Sequence, residues 1–301
     1  MSALRALIKR NTKLFFKDKG MFFTSLITPL VLLVLYSTFL GNIYEETFRD
    51  ALSSAGTAVT DTLINGCVWG ELASSLLAVC CVTVAFCSNM LMVQDKVSGV
   101  RRDLTIAPVR HSTLALGYYI TTLLSTLLVC YVATAVCLLY MSMVGWYLTT
   151  SDILCILLDV FLLVLFGTAL SSIINHFLSS QGQISAVGTI VSAGYGFLCG
   201  AYMPISQFSD GLQKVLSFLP GTYGTSLLRN HALRGVFEEM GTQGFPSEVV
   251  EAIKDSIDCN LYFFGDKVEL SAMYLILGVA VIVLIAVYIL LNVLHSEKVS
   301  N

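Results

Sequence analysis

The sequence predicts an all-α integral membrane protein. It has six transmembrane helices, an N-terminal amphipathic interfacial helix, a charged cytoplasmic helical hairpin between helices two and three, and a partly re-entrant outer segment between helices five and six. Three observations carry this reading. Hydrophobic residues make up 56% of the 301 and charged residues 12%, against roughly 25% charged in an average soluble domain. Mean hydropathy is +0.79, and the apolar residues are gathered into runs long enough to cross a bilayer. The charged residues cluster between those runs, most densely in Gln94–Tyr119. A net charge of −3 gives no reason to expect a nucleic-acid partner.

Residues 1–20 are short, basic and amphipathic. Leu4, Leu7, Ile8, Leu14 and Phe15 fall near one helical face, while Arg5, Lys9, Arg10, Lys13 and Lys17 fall largely elsewhere. This pattern predicts a helix lying in the membrane interface, its lysines near anionic headgroups. A signal peptide is excluded because no small-residue cleavage site closes the apolar run that follows. The first span covers 21–41, about 20 residues at ~1.5 Å rise. It contains Pro29, which a membrane helix tolerates as a kink. The acidic loop Asn42–Asn65 follows, then a second span over 66–93 that carries Glu71 and Asn89.

Residues 94–113 hold Asp95, Lys96, Arg101, Arg102, Asp103 and Arg110 and cannot lie in hydrocarbon. Their interspersed leucines, valines and isoleucines make them a poor coil, hence a short helical hairpin against the membrane face. The later spans are 114–143, 153–175 with Asp159 inside it, 183–202, and 270–294. The fifth is rich in Gly, Ala and Ser, which predicts a helix packed on several sides. Residues 204–269 form the outer segment. Its first half is too apolar for a free loop and is interrupted at Pro220-Gly221 and Gly224, so one or two short helices dip into the outer leaflet. Its second half is acidic, with a helix around Ser247–Ile257 and Ser247 as the N-cap.

Orientation follows the lysines and arginines near the membrane. They crowd the N-terminal segment and the 94–113 hairpin and are sparse in the turns on the other side. An even number of spans places both termini in the cytoplasm of a multi-pass plasma-membrane protein. Trp69, Trp146 and Tyr147 fit an aromatic belt at the outer interface. Most cysteines sit inside apolar runs as small packing residues, with no C-x-x-C pair and no metal-ligand spacing. Cys67 and Cys259 share the predicted outer side, which leaves a disulfide between them open.

The hairpin DKVSGVRRDLTIAPV is similar to that of the membrane (permease) subunit of a type-2 ABC exporter in Asp95-Lys96, Gly99, Asp103 and Pro108. Ala107 departs from the Thr or Ser common before that proline. The stretch MPISQFSDGLQKVLSFLPGTYGTSLLRNHALRG resembles the same family's proline after span five, its second Leu-Pro and its Arg-bearing helix. The likeness spans nearly the whole chain. It implies one permease domain that pairs with a second permease subunit, identical or related, and with two copies of a cytoplasmic ABC ATPase. It also implies a coupling helix at 95–108, with Asp95, Gly99, Arg101, Arg102, Asp103 and Pro108 meeting the ATPase. The chain has no G-x-x-x-x-G-K-[ST] loop. ATP and Mg are therefore expected on the partner, with no cofactor bound here and no catalytic or metal residues.

Each candidate site has a plainer reading. Arg101, Arg102 and Arg110 also serve as topology signals. Glu71 and Asp159 either line an outer vestibule on the translocation path or are hydrated or paired with each other or Arg229. Pro204, Pro220, Arg229, His231 and Arg234 either form an outer gate or anchor a re-entrant helix. The alternative function is a proton-coupled secondary transporter using Asp159 or Glu71, although the paired broken helices typical of that class are not visible. Expected cargo is an amphipathic drug, an antimicrobial peptide or a lipid-like molecule.

Overall fold

The computed structural model describes residues 2–53, 60–106 and 109–300. The chain is helical nearly throughout. α1 (Ser2–Lys17) and α2 (Lys19–Leu35) are followed by a π-helical turn, Tyr36–Leu40, and by α3 (Gly41–Ser53). Among the described residues five helices are long and apolar enough to cross a membrane: Ser25–Asp50, Asp61–Val97, His111–Val144, Thr150–Phe177 and Leu270–Val293. The first of these runs on where a loop was expected from Asn42, because α3 continues the helix through the acidic residues Glu45, Glu46 and Asp50. Part of the expected loop, residues 54–59, lies outside the described residues, as do Ala107 and Pro108.

α4 (Asp61–Val97) is the centre of the bundle. Thr60 caps its first turn by accepting from the Leu63 amide, and α4 packs against α1, α2 and α3 and against five later helices. Its most apolar window is 94% buried, as expected for a helix that is apolar all round. α5 (Val100–Ile106) follows a turn at Gly99, whose φ of +83° lies in the left-handed region that glycine enters without cost. α6 (His111–Val144) and α7 (Thr150–Phe177) complete the core around α4, and α1 packs on α6. A reciprocal Thr149–Asp152 capping box opens α7.

α8 (Gln181–Leu198) opens with a Ser180–Gln183 capping box. It packs on α4, yet its small residues do not make it a helix enclosed on several sides. Ile184, Tyr195 and Gly196 are buried, whereas a Cβ added at Gly182 or Gly194 would meet open space. Small residues permit close approach only where another helix is supplied. Its glycines and serines also hold it below the apolarity of the five spans above.

A 3₁₀ turn at Ile205–Gln207 and α9 (Asp210–Leu216) lead into α10 (Pro220–Thr242). Pro220 stands at the start of α10, where its missing N–H costs nothing. Gly224 does not interrupt this helix as expected. It is a packing position, since a Cβ there would run into the Leu163 side chain of α7. α10 is therefore one unbroken helix pressed between α4, α7 and α12 (Leu270–Ser300). α11 (Ser247–Ser256) begins one residue earlier than expected, with Pro246 rather than Ser247 at the cap. A small hairpin, β1 (Tyr262–Phe263) against β2 (Asp266–Lys267), closes the outer segment. Cys67 and Cys259 are both buried and free.

Close packing of α7 on α4 depends on Gly167. A Cβ there would lie 2.8 Å from the Cys81 carbonyl oxygen and 3.0 Å from the Val82 Cα. Backbone cannot swing aside as a side chain can. Gly167→Val is expected to destabilise the protein by about 1–3 kcal/mol, seen as an earlier thermal unfolding transition in detergent. An unchanged transition would mean that this contact is not tight.

Candidate functional site

Polar side chains inside an apolar bundle must find partners, and here they do so at three depths. The first cluster, toward the start of α4, centres on Arg229 of α10, whose side chain is 1% exposed. Its Nη2 lies 2.7 Å from Glu71 Oε1 on α4 and donates to Ser75 Oγ (3.0 Å) and to the Gly200 carbonyl oxygen (2.6 Å). Its Nη1 stands 3.5 Å from Asp258 Oδ2. Asp258 also accepts from the amides of Ile205 and Ser206, and burial pushes its carboxyl above the ordinary carboxylate range while Arg229 opposes. One guanidinium thereby joins α4, the end of α8, α10 and the segment after α11. Among the described residues Glu71 Oε2 and Arg229 Nε find no partner, so the cluster is not saturated there.

Two further residues of α10 repeat the pattern. His231 Nδ1 lies 2.6 Å from Asp159 Oδ2 on α7, and Tyr274 of α12 donates to Asp159 Oδ1 at 2.6 Å. Arg234 pairs with Asp152 at the start of α7, donates to Thr149 Oγ1 at 2.8 Å and reaches Glu238 at 2.7 Å. Glu71 and Asp159 are thus enclosed and engaged within this single chain. Glu71 pairs with Arg229. Asp159 pairs with His231 rather than with Arg229 or Glu71. Pro204 is buried at the start of the 3₁₀ turn, one residue before the Ile205 amide that Asp258 accepts.

At mid-depth, Asn89 Nδ2 donates to Ser171 Oγ (3.1 Å) and Ser172 Oγ (3.0 Å), and Thr122 Oγ1 donates to Asn89 Oδ1 (3.3 Å). This ties α4, α6 and α7 together.

At the opposite end of α4, Asp95 faces inward. It receives a two-pronged bond from Arg10, at 2.8 and 3.1 Å, and a 2.6 Å bond from the Tyr118 hydroxyl. Asp95 was expected among the residues that meet the ATPase; in this chain its carboxylate is buried and fastens α1 and α6 to the last turn of α4. Lys96 Nζ donates to the carbonyl oxygens of Asn175, His176 and Leu178, satisfying the free carbonyls at the end of α7. What projects is the far side of the turn. Ser98, Gly99, Arg102 and Asp103 are exposed, and Ile106 is 78% exposed; Arg101 is partly covered.

A groove of about 760 Å³ opens between α2, α4 and α8, with Gln94, Gln181, Ser185, Thr189 and Ser192 among its lining. It is more polar than the other membrane-depth grooves, and it is lined by neither Glu71 nor Asp159.

Breaking a buried pair by removing one partner leaves an uncompensated charge, at a cost of about 3–5 kcal/mol. Arg229→Met is expected to lose stability on that scale in thermal unfolding of the detergent-solubilised chain. Arg229→Met combined with Glu71→Gln is expected to lose clearly less than the sum of the single changes. Strict additivity would contradict the pairing.

A family model described as ABC-2 type transporter matches residues 2–232. Among curated proteins none matches the chain. The matched region takes in the bundle core, the projecting turn at α5 and the Arg229–Glu71 pair, and the chain is a member of the ABC-2 type transporter family.

Proposed function

We propose that this permease subunit of an ABC transporter works as an exporter, with α5 as the surface that a cytoplasmic ATPase drives. The supporting observation is the contrast across one turn. Asp95 and Lys96 are fastened to α1, α6 and α7, while Arg102, Asp103 and Ile106 are exposed on the far side of the turn. A force applied to α5 therefore reaches three helices of the core at once. In this reading the energy comes from the different affinities of the ATPase states for ATP, expressed as rigid-body rocking of the helices.

The pathway in this reading is the groove between α2, α4 and α8, closed by a second permease subunit set against the exposed small-residue face of α8. Here α8 is the sixth span, both termini are cytoplasmic, and the protein resides in the plasma membrane. The groove's mixed lining suits an amphipathic drug, an antimicrobial peptide or a lipid-like molecule. The Arg229 cluster is the outer clasp that holds α10 while the bundle rocks. A proton-coupled transporter is the weaker reading, since both oxygens of Asp159 are engaged inside the protein.

The test is reconstitution with the cognate ATPase. Arg102→Glu and Asp103→Ala are each expected to lower ATP-driven transport by about tenfold or more while membrane insertion is retained. Normal transport with full ATPase binding in both variants would remove the coupling role. Thr189→Trp, which fills the α8 side of the groove, is expected to abolish transport with ATPase binding intact. Wild-type flux in that variant would move the pathway elsewhere.

A further inference from the structure

A second groove, of about 670 Å³, runs between the first turns of α6 and the α12 turns from Ile285 to Val293. Its walls are apolar and aromatic. Leu116 and Ile289 are half exposed along it, and Tyr119 stacks on Tyr288 with centroids 5.8 Å apart. Its mouth is basic, with exposed Arg110 followed by His111, and among the described residues no acidic side chain lines it. Leu116 stands about 9 Å along the helix axis from Arg110, at ~1.5 Å per residue.

A guanidinium at the mouth of an apolar slot on a bilayer-spanning chain matches one kind of occupant: a molecule with a charged phosphate above and a hydrocarbon chain below. We infer that this groove is a binding site for an anionic phospholipid of the leaflet on the α5 side. The acyl chain lies along Leu116, Tyr119, Ile285 and Ile289, and the phosphate meets Arg110. The bilayer supplies that molecule at the required depth. Its position matters because Arg110 ends the short connection from α5 to α6. A lipid seated there would sit at the point where the chain enters α6 after α5. The inference requires only that the chain spans a bilayer, not that it exports anything.

The experiment places a single tryptophan in the slot, Leu116→Trp, in full-length chain carrying Trp69→Phe and Trp146→Phe. This protein is reconstituted in phosphatidylcholine vesicles containing increasing fractions of brominated phosphatidylglycerol or brominated phosphatidylcholine. One well-placed cationic contact predicts quenching at an approximately fivefold lower mole fraction of the anionic lipid. Arg110→Gln brings the two lipids to parity, and Arg110→Lys keeps the preference. Phe177→Trp, at the same end of the bundle but outside the groove, shows none. Ile289→Trp on the facing wall repeats the measurement should Leu116→Trp not fold. Equal quenching by the two lipids in the slot overturns the site. So does a preference that survives Arg110→Gln, or one of equal size at Phe177→Trp.

Discussion

The pairing of Arg229 with Glu71 constrains the rest of the outer half. A guanidinium cannot be released to hydrocarbon, and within the described residues it is enclosed by α4, α10, the end of α8 and the segment carrying Asp258. Each of those elements must stay in register for the charge to remain compensated. His231 with Asp159, and Arg234 with Asp152, extend the same logic along α10. α10 is only moderately apolar, yet it sits against the bundle because its cations are spent on carboxylates of α4, α7 and the outer segment. Buried pairs of this kind add little net stability over well-packed apolar groups. Their consequence is position: α10 has one place to sit.

α4 connects that cluster to the other end. Its 37 residues span about 55 Å at ~1.5 Å per residue, more than the ~40–45 Å of a bilayer with its headgroups. Its ends must therefore emerge on opposite sides or lie close to doing so. Glu71 sits about two and a half turns from its start, Asn89 about two turns from its end, and Asp95 and Lys96 in the last turn. A helix buried almost all round, with polar fasteners at three depths, moves as a rod or does not move. This is why a short exposed turn such as α5 can matter to residues far from it.

Much of this was legible in the sequence. Five of the six expected spans followed from apolar runs, and the projecting turn from charge density and Gly99. The aromatic end of the bundle followed from Trp69, Trp146 and Tyr147, which gather near the start of α4 and the end of α6. Partners were harder to read. Spacing tells which residues share a helix face; it does not tell which face of another helix they meet. Asp95 reads as a surface charge until Arg10, 85 positions away, is seen against it. Asp258 and Tyr274 carried no signal of their own, because an acid in an acidic loop and a tyrosine in an apolar helix are both ordinary. Gly224 was misread because a glycine that breaks a helix and one that admits a neighbouring Leu look alike along a single chain. The small residues of α8 announce close approach, and within this chain only part of them is met by a neighbour, Gly188 by Met90 and Gly196 by Tyr202.

The account stands on α5 and the outer segment being held at opposite faces of the membrane by α4. Single cysteines at Ser98, in the turn before α5, and at Ser209, before α9, test this directly with a membrane-impermeant thiol reagent. The prediction is that Ser209→Cys is labelled on intact cells and Ser98→Cys only after the membrane is opened. Labelling of both positions from one side would contradict the account.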